Sequence, residues 1–166
     1  VFLFLLKNKY ASTFIKDTMK LLVICGGGGK TTLTKKYPDL FLDIDDFVWS
    51  SCNIKYHKQL SEAIEIEDIN TISNIYKSIM INNRHYLQTQ SKIILGHHPI
   101  YSEWIGVELL AEMKPSTKLH EINIANRTTE LKGIALQNWI DLSNAIIYDD
   151  WESFYKFIIK YTGYEP

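Results

Sequence analysis

Cysteine is scarce: Cys25 and Cys52 are the only two in 166 residues. They exclude a disulfide framework, offer no metal-binding spacing, and suit a reducing compartment, so a cytoplasmic location is expected. Proline is limited to four residues, and no low-complexity linker or internal repeat divides the chain. The length suits one domain with a real core. A long apolar run is also missing. The apolar opening Val1 to Leu6 stops at Lys7, far short of the roughly 20 residues that a membrane-spanning helix needs, so no membrane association is expected. Neither sign of charge dominates: 18 Lys plus Arg face 19 Asp plus Glu, for a net charge of −1. No global field therefore advertises nucleic-acid binding, which is left to a local basic groove. Arginine occurs only at Arg84 and Arg127.

Glycine, by contrast, is concentrated. Four of the eight glycines stand in one run, Gly26 to Gly29, which follows the apolar stretch Leu21-Leu22-Val23-Ile24 and Cys25 and leads into Lys30-Thr31-Thr32. Such a run lets the backbone take positive φ and bring its N–H groups close to phosphate oxygens. Lys30 would supply a point charge to the terminal phosphates of ATP, and the Thr31 hydroxyl a ligand for Mg²⁺. A helix opening near Thr32 would add its N-terminal dipole. Gly26, Gly27, Gly28, Gly29, Lys30, Thr31 and Thr32 are thus the candidate ATP-binding residues. In the usual GxxxxGK[ST] pattern the first glycine falls on Ile24. Either the loop is one residue shorter, or that position closes the strand.

Apolar strand-like runs and helical patterns alternate after the loop, which predicts an α/β three-layer domain with a five-stranded, mainly parallel sheet flanked by helices. Strands are expected at 21–25, 40–44, 92–95, 119–124 and 145–148. Helices are expected at 61–90, 102–113, 130–142 and 151–161, the last ended by Gly163 and capped by Asp150. Met19-Lys20 reads as a natural start, which makes residues 1–18 an extension of undetermined role and 19–166 the domain. Oligomeric state has no signature.

The segment Asp43-Ile44-Asp45-Asp46 puts three carboxylates at the end of the second expected strand. In strand geometry Asp43 and Asp45 share one side, where carboxylates can hold Mg²⁺ and orient or deprotonate an attacking hydroxyl. Asp43 and Asp45 are therefore candidate metal ligands and catalytic acids, with Asp46 a candidate for the acceptor. His97 and His98 end the third expected strand in the same crevice and are candidates for acceptor contact. The remaining histidines, His57, His85 and His120, have no context that raises them above surface residues. Arg127 is the candidate lid cation for the transferring phosphoryl group, with Lys132 its companion; Arg84 reads as a solvated helix residue. Trp49, beside the acids, is a candidate to line an acceptor pocket, with core or rim packing the default for it as for the other three tryptophans.

Taken together, strand, glycine-rich Gly-Lys-Thr loop, short helix and Asp-x-Asp or Asp-Asp pair resemble the shikimate and gluconate kinases and the kinase domain of phage polynucleotide kinase. The layout looks like that of the small P-loop nucleoside and nucleotide kinases. The specific resemblance covers Leu21 to about Phe47. It implies a phosphotransferase that uses ATP and Mg²⁺, in which Lys30 and Thr31 bind phosphates and metal. Asp43 and Asp45 would be the Asp-x-Asp pair; in the polynucleotide-kinase alignment Asp45 and Asp46 are the adjacent pair, with Asp45 on the attacking hydroxyl. The acceptor would be a nucleoside, nucleotide or nucleic-acid 5′ end, or else a small metabolite. No acid ends the third strand, where many ATPases carry one; Gly96-His97-His98-Pro99 stands there instead, as a shikimate-type kinase also places glycine. The loop also resembles the xKGGxGKTT variant of the partition ATPases, whose extra lysine falls on Cys25. A nucleotide-dependent switch or assembly ATPase is accordingly the alternative, and a degenerate nucleotide-binding module the third reading.

Overall fold

The computed structural model describes residues 20–164, so the segment 1–18 lies outside the described residues. Strand β1 (Lys20–Ile24) organises the rest. Leu21 and Val23 enter one core cluster and Leu22 and Ile24 the other, because alternate strand residues face opposite sides and this strand is covered on both. Around it lie β2 (Phe41–Asp43), β3 (Ile93–Gly96), β4 (Glu108–Pro115) and β5 (Ile146–Tyr148), in the order β2-β3-β1-β4-β5. Every pairing is parallel, so the sheet is parallel throughout.

One face carries α1 (Lys30–Lys36) and α9 (Trp151–Thr162), which contribute Leu33, Phe154 and Ile158 to the core. The other carries α2 (Ile44–Val48), α3 (Ile54–Glu65), α4 (Ile69–Asn82), α5 (Arg84–Gln88), α6 (Tyr101–Ile105) and α8 (Thr129–Asp141). Helix α7 (Thr117–Ile124) follows β4. Among the described residues no helix is long and apolar enough to cross a membrane. The chain leaves β1 toward β2 on one side and β4 toward β5 on the other. Diverging connections of this kind open a crevice at the carboxyl ends of the strands, and the glycine run begins there.

Several elements differ from the sequence expectation. Residues 119–124, expected as the fourth strand, belong to α7, and the expected helix at 102–113 is α6 followed by most of β4. The strand Glu-Leu-Leu-Ala-Glu-Met-Lys-Pro is made, up to its closing Pro115, of helix formers with no β-branched residue; pairing with β1 and β5 overrides that propensity. The second strand stops at Asp43, whose side chain caps α2 by accepting from the Asp45 N–H at 3.0 Å. Asp45 and Asp46 are thus in a helix's first turn, and the same-side strand geometry does not arise. The expected helix 61–90 is broken in two places: Glu67 takes φ 53° and Asp68 starts α4 by accepting from the Thr71 N–H, and Asn83 separates α4 from α5. Arg84 is not merely solvated: its guanidinium donates to the carbonyls of Trp104 at 2.8 Å and Glu103 at 3.1 Å. Helix α9 starts and ends as expected, with Asp150 accepting from the Ser153 N–H and Gly163 in the left-handed region.

Candidate functional site

Ile24 is the last residue of β1 and is fully buried. It closes the strand, and the loop proper starts at Cys25, whose thiol burial pushes up to about 12; this cysteine is an inert filler. Gly27 at φ 79° and Gly29 at φ 106° need the freedom of glycine. A Cβ on Gly27 would stand 2.6 Å from Ile124, and one on Gly29 2.7 Å from Trp151. Gly29→Ala is expected to cost roughly 1–3 kcal/mol, read as a lower denaturation midpoint with an unchanged m value.

Three side chains distant in sequence hold the loop from behind. The His120 Nε2 donates to the Gly26 carbonyl and the Asn123 amide to the Gly27 carbonyl, each at 2.8 Å, and the Tyr148 hydroxyl donates to the Gly28 carbonyl. In a trans peptide the following N–H points opposite to the carbonyl. Pinning the Gly26 and Gly28 oxygens therefore aims the Gly27 and Gly29 N–H groups away from α7 and β5. The Gly28 N–H is used internally, on the Cys25 carbonyl at 2.9 Å.

His120 is buried and stacked on Trp139. Burial holds its pKa below the ordinary histidine value even though the Gly26 hydrogen bond pulls the other way. The folded state thus favours neutral His120, so its contribution to stability is complete above the unfolded value of about 6.5 and falls as pH drops below it. Asp43, raised to about 7 chiefly by burial, works the other way over the same range, so the readout is the difference between two proteins: the melting temperature of His120→Gln, which keeps a donor and loses the titration, is expected to rise relative to wild type as pH falls from about 7 to 5. His98, also held below its ordinary value by burial, is present in both and cancels in that difference.

Asp45 is the polar centre of the site. Its Oδ2 lies 3.4 Å from the Lys30 Nζ and its Oδ1 3.4 Å from the His97 Nδ1. The Tyr76 hydroxyl donates to Oδ1 at 2.8 Å, and the Tyr101 hydroxyl stands 2.6 Å from the His97 Nε2. Burial alone would raise the Asp45 pKa, but Lys30 and the His97 and Tyr76 contacts outweigh it and hold the carboxyl well below its usual range. Burial likewise opposes the Lys30 charge, and the Asp45 and Asp43 carboxylates outweigh that. Burial and the Asp45 charge keep the Tyr76 hydroxyl protonated. An ionised carboxylate, an ammonium and a fixed O–H donor therefore meet at one point. Asp43 is pushed upward, by burial first and by the Asp45 charge second.

Two cavities flank this centre. The loop-side cavity, about 200 Å³, is bounded by Gly27, Gly29, Thr32, Asn123 and Trp151 together with Lys30, Thr31 and Arg127. The acid-side cavity, about 210 Å³, shares Lys30, Thr31 and Arg127 and adds Gly26, Asp45, Tyr76, His97, Trp49 and an apolar wall from α3, α4 and α8. Lys30, Thr31, Asp45, His97 and Arg127, which the sequence singled out from separate segments, are thus brought together. The other candidates stand elsewhere. Asp43 is buried behind the site as the α2 cap, Asp46 is exposed on α2, and the His98 Nδ1 accepts from the Ile100 N–H at 3.1 Å; none of the three lines either cavity. Gly28 and Lys132 line neither. Among the described residues no three His, Cys, Asp or Glu side chains form a metal cage. The Thr31 hydroxyl on the shared border and the Asp45 carboxylate beside it on the acid side are hard oxygen donors, a set that suits Mg²⁺ held mainly through water and substrate phosphates.

Sequence reasoning missed Tyr76, His120, Asn123 and Tyr148. His120, Asn123 and Arg127 stand at intervals of three and four, the spacing of one helix face. That signal was concealed by reading 119–124 as a strand. No protein family, no curated protein and no solved structure matches the chain, so the site is interpreted from its own chemistry.

Proposed function

We propose that the chain is a P-loop phosphotransferase that moves the γ-phosphoryl group of ATP to a hydroxyl acceptor. The observation that carries this reading is the pair of cavities meeting at Lys30, Thr31 and Arg127, with Asp45 on one side only. A two-substrate transfer needs such a border, because donor and acceptor must meet in line with the charge between them stabilised. ATP phosphates would lie on the loop side, against the Gly27 and Gly29 N–H groups and Lys30, with Trp151 flanking the nucleotide. The acceptor would enter from the acid side, where Asp45 orients its hydroxyl and takes its proton. Tyr76 and His97 fix the carboxylate in place. Mg²⁺, if bound, would be held by Thr31 and Asp45 and would supply positive charge to offset that of the phosphates.

The Lys30–Asp45 pair fits a working cycle. Phosphates would compete with Asp45 for the ammonium, and the released carboxylate would then be free for metal and acceptor. The test is transfer of label from γ-labelled ATP to a panel of nucleosides, nucleotides, 5′-hydroxyl oligonucleotides and sugars. Label in an acceptor, with little hydrolysis of ATP alone, is the expected result. Hydrolysis that responds to a protein partner without transfer would instead favour a switch or assembly ATPase. Lys30→Ala is expected to weaken ATP binding at least tenfold by calorimetry; equally poor binding by wild type and variant would sink the phosphate-loop reading.

A further inference from the structure

Resting on that reading, we infer that the acceptor is a small uncharged alcohol with an apolar or aromatic body, of nucleoside kind, and not a phosphorylated or carboxylated compound or the end of a nucleic acid. The acid-side cavity has a polar end and an apolar end. Among the described residues its lysine and arginine side chains are Lys30 and Arg127, both shared with the loop-side cavity, where the donor's phosphates would occupy them; the His97 imidazole is already turned to Asp45. Away from that border the walls are Trp49, Ile64, Ile72 and Ile134, with the Asn138 amide as a polar exception.

An acceptor that carried its own phosphate or carboxylate would have to set that charge against an aliphatic wall, next to the ionised Asp45. An anion there gives up part of its hydration and meets a like charge, both unfavourable. A neutral body avoids that cost, and its apolar part gains from leaving water. A flat ring has Trp49 available for stacking, and the Asn138 amide offers two donors and an acceptor to a polar edge. The volume of about 210 Å³ falls below the roughly 300–1,000 Å³ typical of drug-sized ligands, which suits one small molecule. Nucleic-acid binding draws on rows of Lys and Arg for phosphate contact, and these walls supply none beyond the shared pair.

The reaction balances with ATP as the co-reactant. The acceptor oxygen forms a bond to the γ-phosphorus, and the bridging P–O bond breaks with its electron pair leaving on ADP. The hydroxyl proton passes to the Asp45 carboxylate.

The experiment compares thymidine, benzyl alcohol, thymidine monophosphate, gluconate and a 5′-hydroxyl oligothymidylate as acceptors of labelled phosphoryl, with ATP binding measured separately by calorimetry. The expected result is a kcat/KM for thymidine at least about tenfold above the values for the three anionic probes. Asn138→Lys, which places a cation on the apolar wall, is expected to raise kcat/KM for thymidine monophosphate relative to thymidine by about tenfold or more. If wild type binds ATP yet labels an anionic probe better than thymidine, or labels no neutral probe, this inference falls and the phosphotransferase reading is judged on the remaining label. If wild type does not bind ATP, the phosphotransferase reading itself falls, and the inference with it.

Discussion

Asp45→Asn is expected to remove transfer while leaving the binding of metal-free ATP unchanged or tighter. The substitution keeps the shape of the side chain and an oxygen that can still accept from Tyr76, which donates to Oδ1 at 2.8 Å. It removes the charge that holds Lys30 at 3.4 Å and the acceptor for the incoming proton. General base catalysis contributes roughly 10²–10⁴-fold, so a fall in kcat of that order is expected in initial-rate transfer assays. The phosphates would no longer compete with a carboxylate for the ammonium, so the dissociation constant for ATP measured without Mg²⁺ should not rise. Turnover equal to wild type would overturn the role given to Asp45.

Arg127→Ala is expected to lower kcat by roughly 10³–10⁵-fold, the range seen when an arginine that stabilises transferring phosphoryl charge is removed. Arg127 follows α7, is exposed, and lines both cavities. Among the described residues no ion pair holds it. An exposed side chain of this kind contributes little to folding, so the melting temperature should move by no more than about 0.5 kcal/mol implies. Arg127→Lys should recover only part of the rate, because an ammonium restores the charge without the bidentate fork. A drop confined to the KM for ATP would contradict a role in the transition state and point to ground-state binding.

Legibility in the sequence followed how local each signal was. The passage from β1 through the glycine run into α1 was readable because strand alternation, a run of glycines and a Gly-Lys-Thr junction fall within a few residues. Beyond it, β4 and α7 were exchanged in kind. The strand is built of Leu, Ala, Glu, Met and Lys, and only its position between β1 and β5 makes it extended. Asp45 was found, but on a strand face that ends one residue before Ile44, where capping by Asp43 turns the chain into a helix. The partners that complete the site lie far from it in the chain: Tyr76 is 31 residues from Asp45, His120 is 94 from Gly26, and Tyr148 is 120 from Gly28. No local pattern announces a hydroxyl or imidazole that acts by tertiary contact.

Helix α7 carries one further consequence. It holds the Gly26 and Gly27 carbonyls through His120 and Asn123, and three residues beyond its end at Ile124 stands Arg127, on the border of both cavities. The helix that shapes the glycine cradle therefore runs directly into the segment that carries the cation shared by both cavities. A shift of Arg127 toward an occupied border would be transmitted along one short rigid lever to the glycine backbone. The two ligands should then bind with positive synergy, and by linkage each must sharpen the affinity for the other by the same factor.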